Sequence, residues 1–223
     1  MNIRQRLQRL FKLRFALTYP FVVYAVIFAN ADDASMRFGI GVILIGLAIR
    51  LWANGYAIKM DKLTTSGPYA FVRNPLYLGT LFIAGGFVAM LRMYYAGALM
   101  LLCMGVAYYR TIQAEEKMLE SKFKDEYLGY KKKVPVIVPL RAPYRGGERW
   151  PFSFRRLVES REYKTVAWVW ILIIVFYLKD RLLVEGAGID ATIIVSVLAA
   201  LVLALVDITG EILKKFVFDS KIE

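Results

Sequence analysis

Ser66-Gly67-Pro68-Tyr69-Ala70-Phe71-Val72-Arg73-Asn74-Pro75-Leu76-Tyr77-Leu78-Gly79 joins two long apolar runs, at about 38–58 and 76–91. Thr64, Thr65, Ser66, Gly67 and Pro68 make its first half a turn-rich connector. Asn74-Pro75 reads as the N-cap and first residue of a helix. Proline loses nothing there by lacking an N–H, and its fixed φ already suits a helix. Arg73 stands directly before that helix start. A connector of this kind between two apolar helices predicts a membrane hairpin rather than a soluble turn.

Outward from this stretch the pattern repeats. Six apolar runs lie at about 15–31, 38–58, 76–91, 93–110, 165–179 and 190–207. The 223 residues are 58% hydrophobic and the mean hydropathy is +0.48, too apolar for an ordinary soluble domain. The expected fold is all-α: a polytopic membrane helical bundle of about six transmembrane helices. Runs three and four together would make one helix of about 50 Å, too long for a hydrocarbon core of about 30 Å. A tight turn near Arg92 is therefore expected, although no Gly or Pro marks it. Gly39, Gly41 and Gly46 lie at the wrong spacing for a dinucleotide loop and are read as close helix packing. Arg4, Arg6, Arg9, Lys12 and Arg14 flank the first run without a small-residue cleavage site, which reads as an anchor.

The charge is sorted along the chain. With the N-terminus inside, 25 of the 30 Lys and Arg fall on inner segments, and four (Arg37, Arg92, Lys179 and Arg181) fall outside. This is the bias that sets topology, and it places both termini and the 59–75 loop in the cytoplasm. Nucleic-acid binding is the weaker reading of the net charge of +12. The chain has no His and one Cys, Cys103, so a His base, a Ser-His-Asp triad and a His- or Cys-ligated metal cage are excluded. Any chemistry must need neither an imidazole nor a His- or Cys-built metal cage.

Arg73 and, further on, Glu115-Glu116 are the charges that need a reason near membrane helix ends. A guanidinium holds a carboxylate and a glutamate holds an ammonium, so the two would clamp a zwitterion. S-adenosylmethionine carries both groups at its methionine end. Its sulfonium is already activated, and an acceptor carboxylate is already ionised, so positioning supplies most of the catalysis. Adjacent helical residues point about 100° apart, so one glutamate faces a given atom and the other is free to pair with Arg73 or Arg110. Run four continues through Glu115-Glu116 as a helix to about Tyr130, with Ile112, Leu119 and Phe123 on one apolar stripe. Pro135 and Pro139 end it in an extended segment.

Three blocks in order carry a resemblance. They are Gly67 to Gly79, Glu115-Glu116-Lys117-Met118-Leu119, and the Tyr/Pro-rich Glu126 to Tyr130 with Val134 to Pro139. The pattern resembles the integral membrane methyltransferases of the isoprenylcysteine carboxyl methyltransferase and phospholipid methyltransferase family, over about Ile40 to Pro139. The resemblance implies S-adenosyl-L-methionine as cofactor, with a cytoplasmic capping helix and extended segment over it. It implies Arg73, Glu115, Glu116 and Arg50 as catalytic residues. It implies Tyr69, Arg73, Asn74, Pro75, Tyr77, Gly79, Glu115, Glu116, Tyr130 and Pro135 as the cofactor-binding set; Tyr127 is a further aromatic candidate. The family usually has His where this chain has Asn74, which can hydrogen-bond but cannot titrate and is also a good N-cap. Two roles are open to Arg50: holding the acceptor's anionic group, or pairing with Asp207. Asp207 and Glu211, one helical turn apart, read as structural.

The expected organisation is a core at 1–140, a basic aromatic connector at 141–164 and a two-helix extension at 165–223. The connector holds seven Arg or Lys with Tyr144, Trp150, Phe152 and Phe154, a composition suited to lipid headgroups. The implied partners are membrane lipids and an amphiphilic methyl acceptor, with no nucleic acid and no metal. The resemblance favours carboxyl methylation of an isoprenylcysteine-like acid. Phospholipid amine methylation, thiol methylation, or a non-catalytic scaffold or transporter are the alternatives.

Overall fold

The computed structural model describes residues 19–58, 62–186 and 188–219. The basic flank before the first run, and the side chain of Glu211, lie outside what is described. Among the described residues the chain is helical with no strand. The helices are α1 (Tyr19–Phe28), α2 (Asp33–Tyr56), α3 (Pro75–Met90), α4 (Tyr94–Lys133), α5 (Phe154–Glu159), α6 (Glu162–Lys179) and α7 (Ala191–Asp219). Five of them match apolar runs within a few residues, apart from extensions; α1 covers the described part of the first. By length and composition, α2, α4 and the Ala191–Thr209 stretch of α7 are sufficient to cross a membrane. Many of their large apolar side chains are exposed, among them Leu102, Val106, Val195, Leu198 and Leu201, as lipid-facing surfaces require.

The chain divides into two compact units, residues 1–160 and 161–223. In the first, α2 and α3 make the most extensive helix–helix contact. A capping box starts α2 at Asp32: its carboxylate accepts from Ser35 N at 2.7 Å, and Ser35 Oγ accepts from Asp32 N at 3.0 Å. The two helices then approach backbone to backbone. A Cβ on Gly39 would lie 2.6 Å from Gly86 O, and one on Gly46 would lie 2.6 Å from Gly79 O. Reciprocally, a Cβ on Gly79 would meet Gly46 O at 2.8 Å and Arg50 Cγ at 2.5 Å. Gly39 and Gly46 therefore serve close packing as expected. Gly41 does not: nothing lies within 4 Å of a Cβ placed there.

The turn between α3 and α4 falls at Arg92, which takes φ 53. Its guanidinium reaches Asp32 at 2.9 Å, and Ser35 Oγ donates to Met90 O, tying the turn to the start of α2. The expectation of one continuous helix to Tyr130 is corrected. Lys124 has φ 45 and ψ −122, so α4 is two helical segments joined by a sharp break. A lysine held there is strained, and such conformations persist only where surrounding contacts impose them. The contacts are visible. Beyond the break Tyr127, Tyr130 and Val134 bury themselves with Leu63, against Leu119, Phe123 and Tyr144. Folding back to this cluster outweighs a strain of roughly 1–3 kcal/mol.

The connector packs on the same unit. Ser153 N and Arg156 Nε both donate to Gly55 O, and Phe152 sits against the face of Gly55 and the edge of Tyr56. Ser66 Oγ donates to Glu148 O at 3.0 Å and accepts from Trp150 N at 2.8 Å. The second unit is α6, a π-helical turn at Asp180–Val184, and α7. Lys164 of α6 pairs with Asp207 of α7 at 3.0 Å, and Trp168 Nε1 donates to the same carboxylate.

Candidate active site

The 66–79 connector and the segment after α4 are zipped together. Arg73 N donates to Pro135 O at 2.9 Å and Asn74 N to Val136 O at 3.1 Å. Tyr144 N donates to Ala70 O, and Tyr130 Oη donates to Tyr69 O at 2.6 Å. Asn74 holds the N-cap position of α3, with Pro75 following as expected, but its side chain makes no cap bond. The amide instead donates to Val136 O at 3.3 Å. The capping expectation for that side chain is therefore corrected: the 134–138 segment, drawn alongside by the backbone pairing, offers it a carbonyl.

A cavity of about 160 Å³ lies under this clasp, smaller than the 300 Å³ or more of typical ligand clefts. Arg73, Asn74, Glu115, Glu116, Tyr69, Tyr127 and Tyr130 line it, with an apolar side formed by Ala57, Ile58, Leu63, Leu119 and Phe123. The expected cofactor residues thus divide. Tyr69, Arg73, Asn74, Glu115, Glu116 and Tyr130 converge on one space. Pro75, Tyr77, Gly79 and Pro135 are absent from its lining. Pro75 is fully buried at the start of α3, and Gly79 admits α2 and the stem of Arg50. Pro135 offers its carbonyl to Arg73 N. Tyr77 acts one step removed, donating to Glu115 Oε1 at 2.9 Å while its ring packs on Tyr108.

The two glutamates do have different partners. Glu116 meets Arg73 Nη2 at 2.8 Å and Lys131 Nζ at 3.0 Å. Lys131 also meets Glu120 at 2.6 Å, and these carboxylates hold its pKa above the usual lysine value. Arg73 and Glu116 have side chains only 9% and 11% exposed. Arg73 Nη1 donates to Lys131 O at 2.7 Å and Val134 O at 3.2 Å, so the guanidinium also caps the C-terminal carbonyls of α4. Two buried atoms remain without a hydrogen bond: Arg73 Nε and Glu116 Oε1, whose contact with Arg73 lacks hydrogen-bond alignment. Burial raises the phenol pKa values of Tyr127 and Tyr130, helped by the Glu116 carboxylate at Tyr127 and by Tyr127 at Tyr130. Both stay neutral donors at physiological pH.

Arg50 lies outside the cavity lining. It turns toward α3, where Nη1 donates to Thr80 Oγ1 at 2.6 Å and lies 3.4 Å from Leu76 O. Asp207 is engaged by Lys164 and Trp168. The role of Lys131 was not visible in the sequence. It stands in a run of three lysines, and nothing local distinguishes it from Lys132 and Lys133.

Residues 37–126 match the family model for phospholipid methyltransferase. That segment is similar to the family. The match runs from early α2 across the Arg73 connector and through both glutamates, stopping before Tyr127. Among curated proteins, the chain is 38% identical to protein-S-isoprenylcysteine O-methyltransferase of Schizosaccharomyces pombe, over 37% of this chain and 35% of that one. It is 33% identical to the cobalt-zinc-cadmium resistance protein CzcN of Cupriavidus metallidurans, over 52% of this chain and 57% of the relative. It is 30% identical to the nickel-cobalt-cadmium resistance protein NccN of Alcaligenes xylosoxydans xylosoxydans, over 43% and 46%. The chain thus spans between about a third and just over half of the length of these relatives. No solved structure matches it.

Proposed function

We propose that the chain is a membrane methyltransferase that takes S-adenosylmethionine as donor and methylates an amphiphilic acceptor at the cytoplasmic interface. The carrying observation is the convergence of the Arg73 guanidinium and the Glu115 and Glu116 carboxylates on the lining of one cavity, with Arg73 Nε left without a hydrogen bond. Buried polar groups are nearly always satisfied, and a guanidinium with a spare donor beside two carboxylates is complementary to a zwitterion. The residues therefore fit the methionine end of the donor. Arg73 would hold its carboxylate and Glu115 or Glu116 its ammonium, with the Tyr69 and Tyr127 rings and the apolar wall available to its base. When bound, the donor supplies an electrophilic methyl group on a sulfonium.

The protein's part is to orient the donor, exclude water and bring the acceptor's head to it. An acceptor carboxylate needs no general base, which suits a chain with no His. The preferred acceptor is an isoprenylcysteine-like carboxylate, supported by the 38% identity to a protein named for that reaction. The family model's name supports a phospholipid amine as the competing acceptor. Arg50, held on α3 by Thr80 and Leu76 O, is the residue the resemblance would give to an anionic acceptor group. The charge bias supports six spans with both termini and the cavity on the cytoplasmic side.

The test is calorimetric titration of the full chain in detergent with S-adenosylhomocysteine, followed by labelled-methyl transfer to farnesylcysteine analogues, phosphatidylethanolamine and small thiols. Binding with thermal stabilisation is expected, weakened at least tenfold by Arg73→Met. A folded chain that neither binds nor is stabilised would overturn the reading in favour of a scaffold.

A further inference from the structure

The break at Lys124 does more than bend a helix. Lys131 follows Glu116 by fifteen residues, which a straight helix would separate by about 22 Å. Their side chains meet at 3.0 Å because the arm from Asp125 to Lys133 doubles back. On the way it supplies Tyr127 and Tyr130 to the cavity wall. Its end is then pinned by three contacts: Lys131 to Glu116, Lys131 to Glu120, and the Lys131 carbonyl to Arg73. Glu116 thus already has a primary ammonium on Oε2 and a guanidinium at Oε1. The Lys131 head is the more open of the two cations, 36% exposed against 9% for Arg73.

We propose that Lys131 is an internal counter-ion that competes with a ligand's ammonium for the Glu116 carboxylate, and that the ligand displaces it from Glu116 while Glu120 retains it. The proposal rests on the donor-site reading above. A lysine ammonium and an amino-acid ammonium are the same chemical group, so they compete for one carboxylate. Neither Lys131 nor Glu120 lines the cavity, so Lys131 reaches Glu116 from behind its wall; Glu120 holds Lys131 at 2.6 Å, so the displaced charge keeps a partner. Lys131 is a positioning residue: it holds the Glu116 carboxylate until ligand arrives, and so it sets the affinity that a ligand must exceed.

The experiment is calorimetry of S-adenosylhomocysteine binding to the full chain and to Lys131→Met and Lys131→Arg, with hydrogen exchange of residues 125–133 in the ligand-free proteins. Lys131→Met should bind about two- to fivefold more tightly, the size expected when a partly exposed ion pair is removed from the competition. Its arm should exchange faster than in the wild type. Lys131→Arg keeps a cation on the carboxylates and should restore wild-type affinity and exchange. If the wild type binds and Lys131→Met binds equally or more weakly, the proposal is overturned while the donor site stands. If the folded wild type does not bind at all, the donor-site reading fails first and takes this proposal with it. Loss of thermal stability in Lys131→Met that Lys131→Arg does not rescue would show a packing role and would also overturn it.

Discussion

Arg73 shows how one side chain serves structure and ligand at once. Its Nη1 caps the end of α4, its Nη2 faces Glu116, and its Nε is left over. A lysine has no such fork, so Arg73→Lys is not a conservative change here. Tyr127 and Tyr130 beside it allow a pH prediction. Burial raises both phenol pKa values, so the folded protein keeps protons that the unfolded chain releases from about pH 10, the ordinary tyrosine value. The sign follows from linkage: the native state binds more protons above that point, so stability falls as pH rises further. Thermal unfolding in detergent should show no contribution from these two residues between pH 7 and 9 and a progressive loss above about pH 10. Tyr127→Phe, which has no proton to lose, should shrink that alkaline loss. An unchanged alkaline slope in that variant would count against the burial argument.

Among the elements, the α2–α3 pair is the scaffold on which the site stands, because Arg73 and Asn74 lead directly into α3. Its packing depends on glycines at two levels, Gly39 with Gly86 and Gly46 with Gly79. Gly46→Leu should separate the helices and lower stability by about 1–3 kcal/mol, the cost of overpacking a close contact. Gly41→Ala, one face away with open space around it, should leave the melting temperature level or raise it, since alanine is the better helix former. A thermal shift assay on the two variants separates the readings. Equal effects would mean that the glycines act through helix propensity alone.

Over the whole molecule, every residue lining the cavity belongs to the first compact unit, 1–160. The second unit carries its own Lys164–Asp207 pair and none of the lining. Truncation after Ser160 should therefore leave S-adenosylhomocysteine affinity within about twofold of the full chain. Calorimetry on the truncated protein, with its melting curve recorded alongside, checks this. A folded fragment with no affinity would assign the last two helices a part in the site.

Much of this protein was legible as local pattern. Hydropathy marked the apolar helices because lipid tolerates only backbones that satisfy themselves. Asn74-Pro75 marked the start of α3 because the first turn of a helix has spare N–H groups. Arg73 and Glu115-Glu116 stood out as charges at helix ends, where an unpaired charge is costly. What local pattern could not carry was the fold-back at Lys124, the Asn74 bond to Val136 and the seating of Phe152 on Gly55. Those depend on partners tens of residues away, chosen through space by the burial of aromatic rings and the satisfaction of carbonyls. Sequence alone located the charges of the site; tertiary structure decided which of them touch, because a break of a single residue brings Lys131 to Glu116.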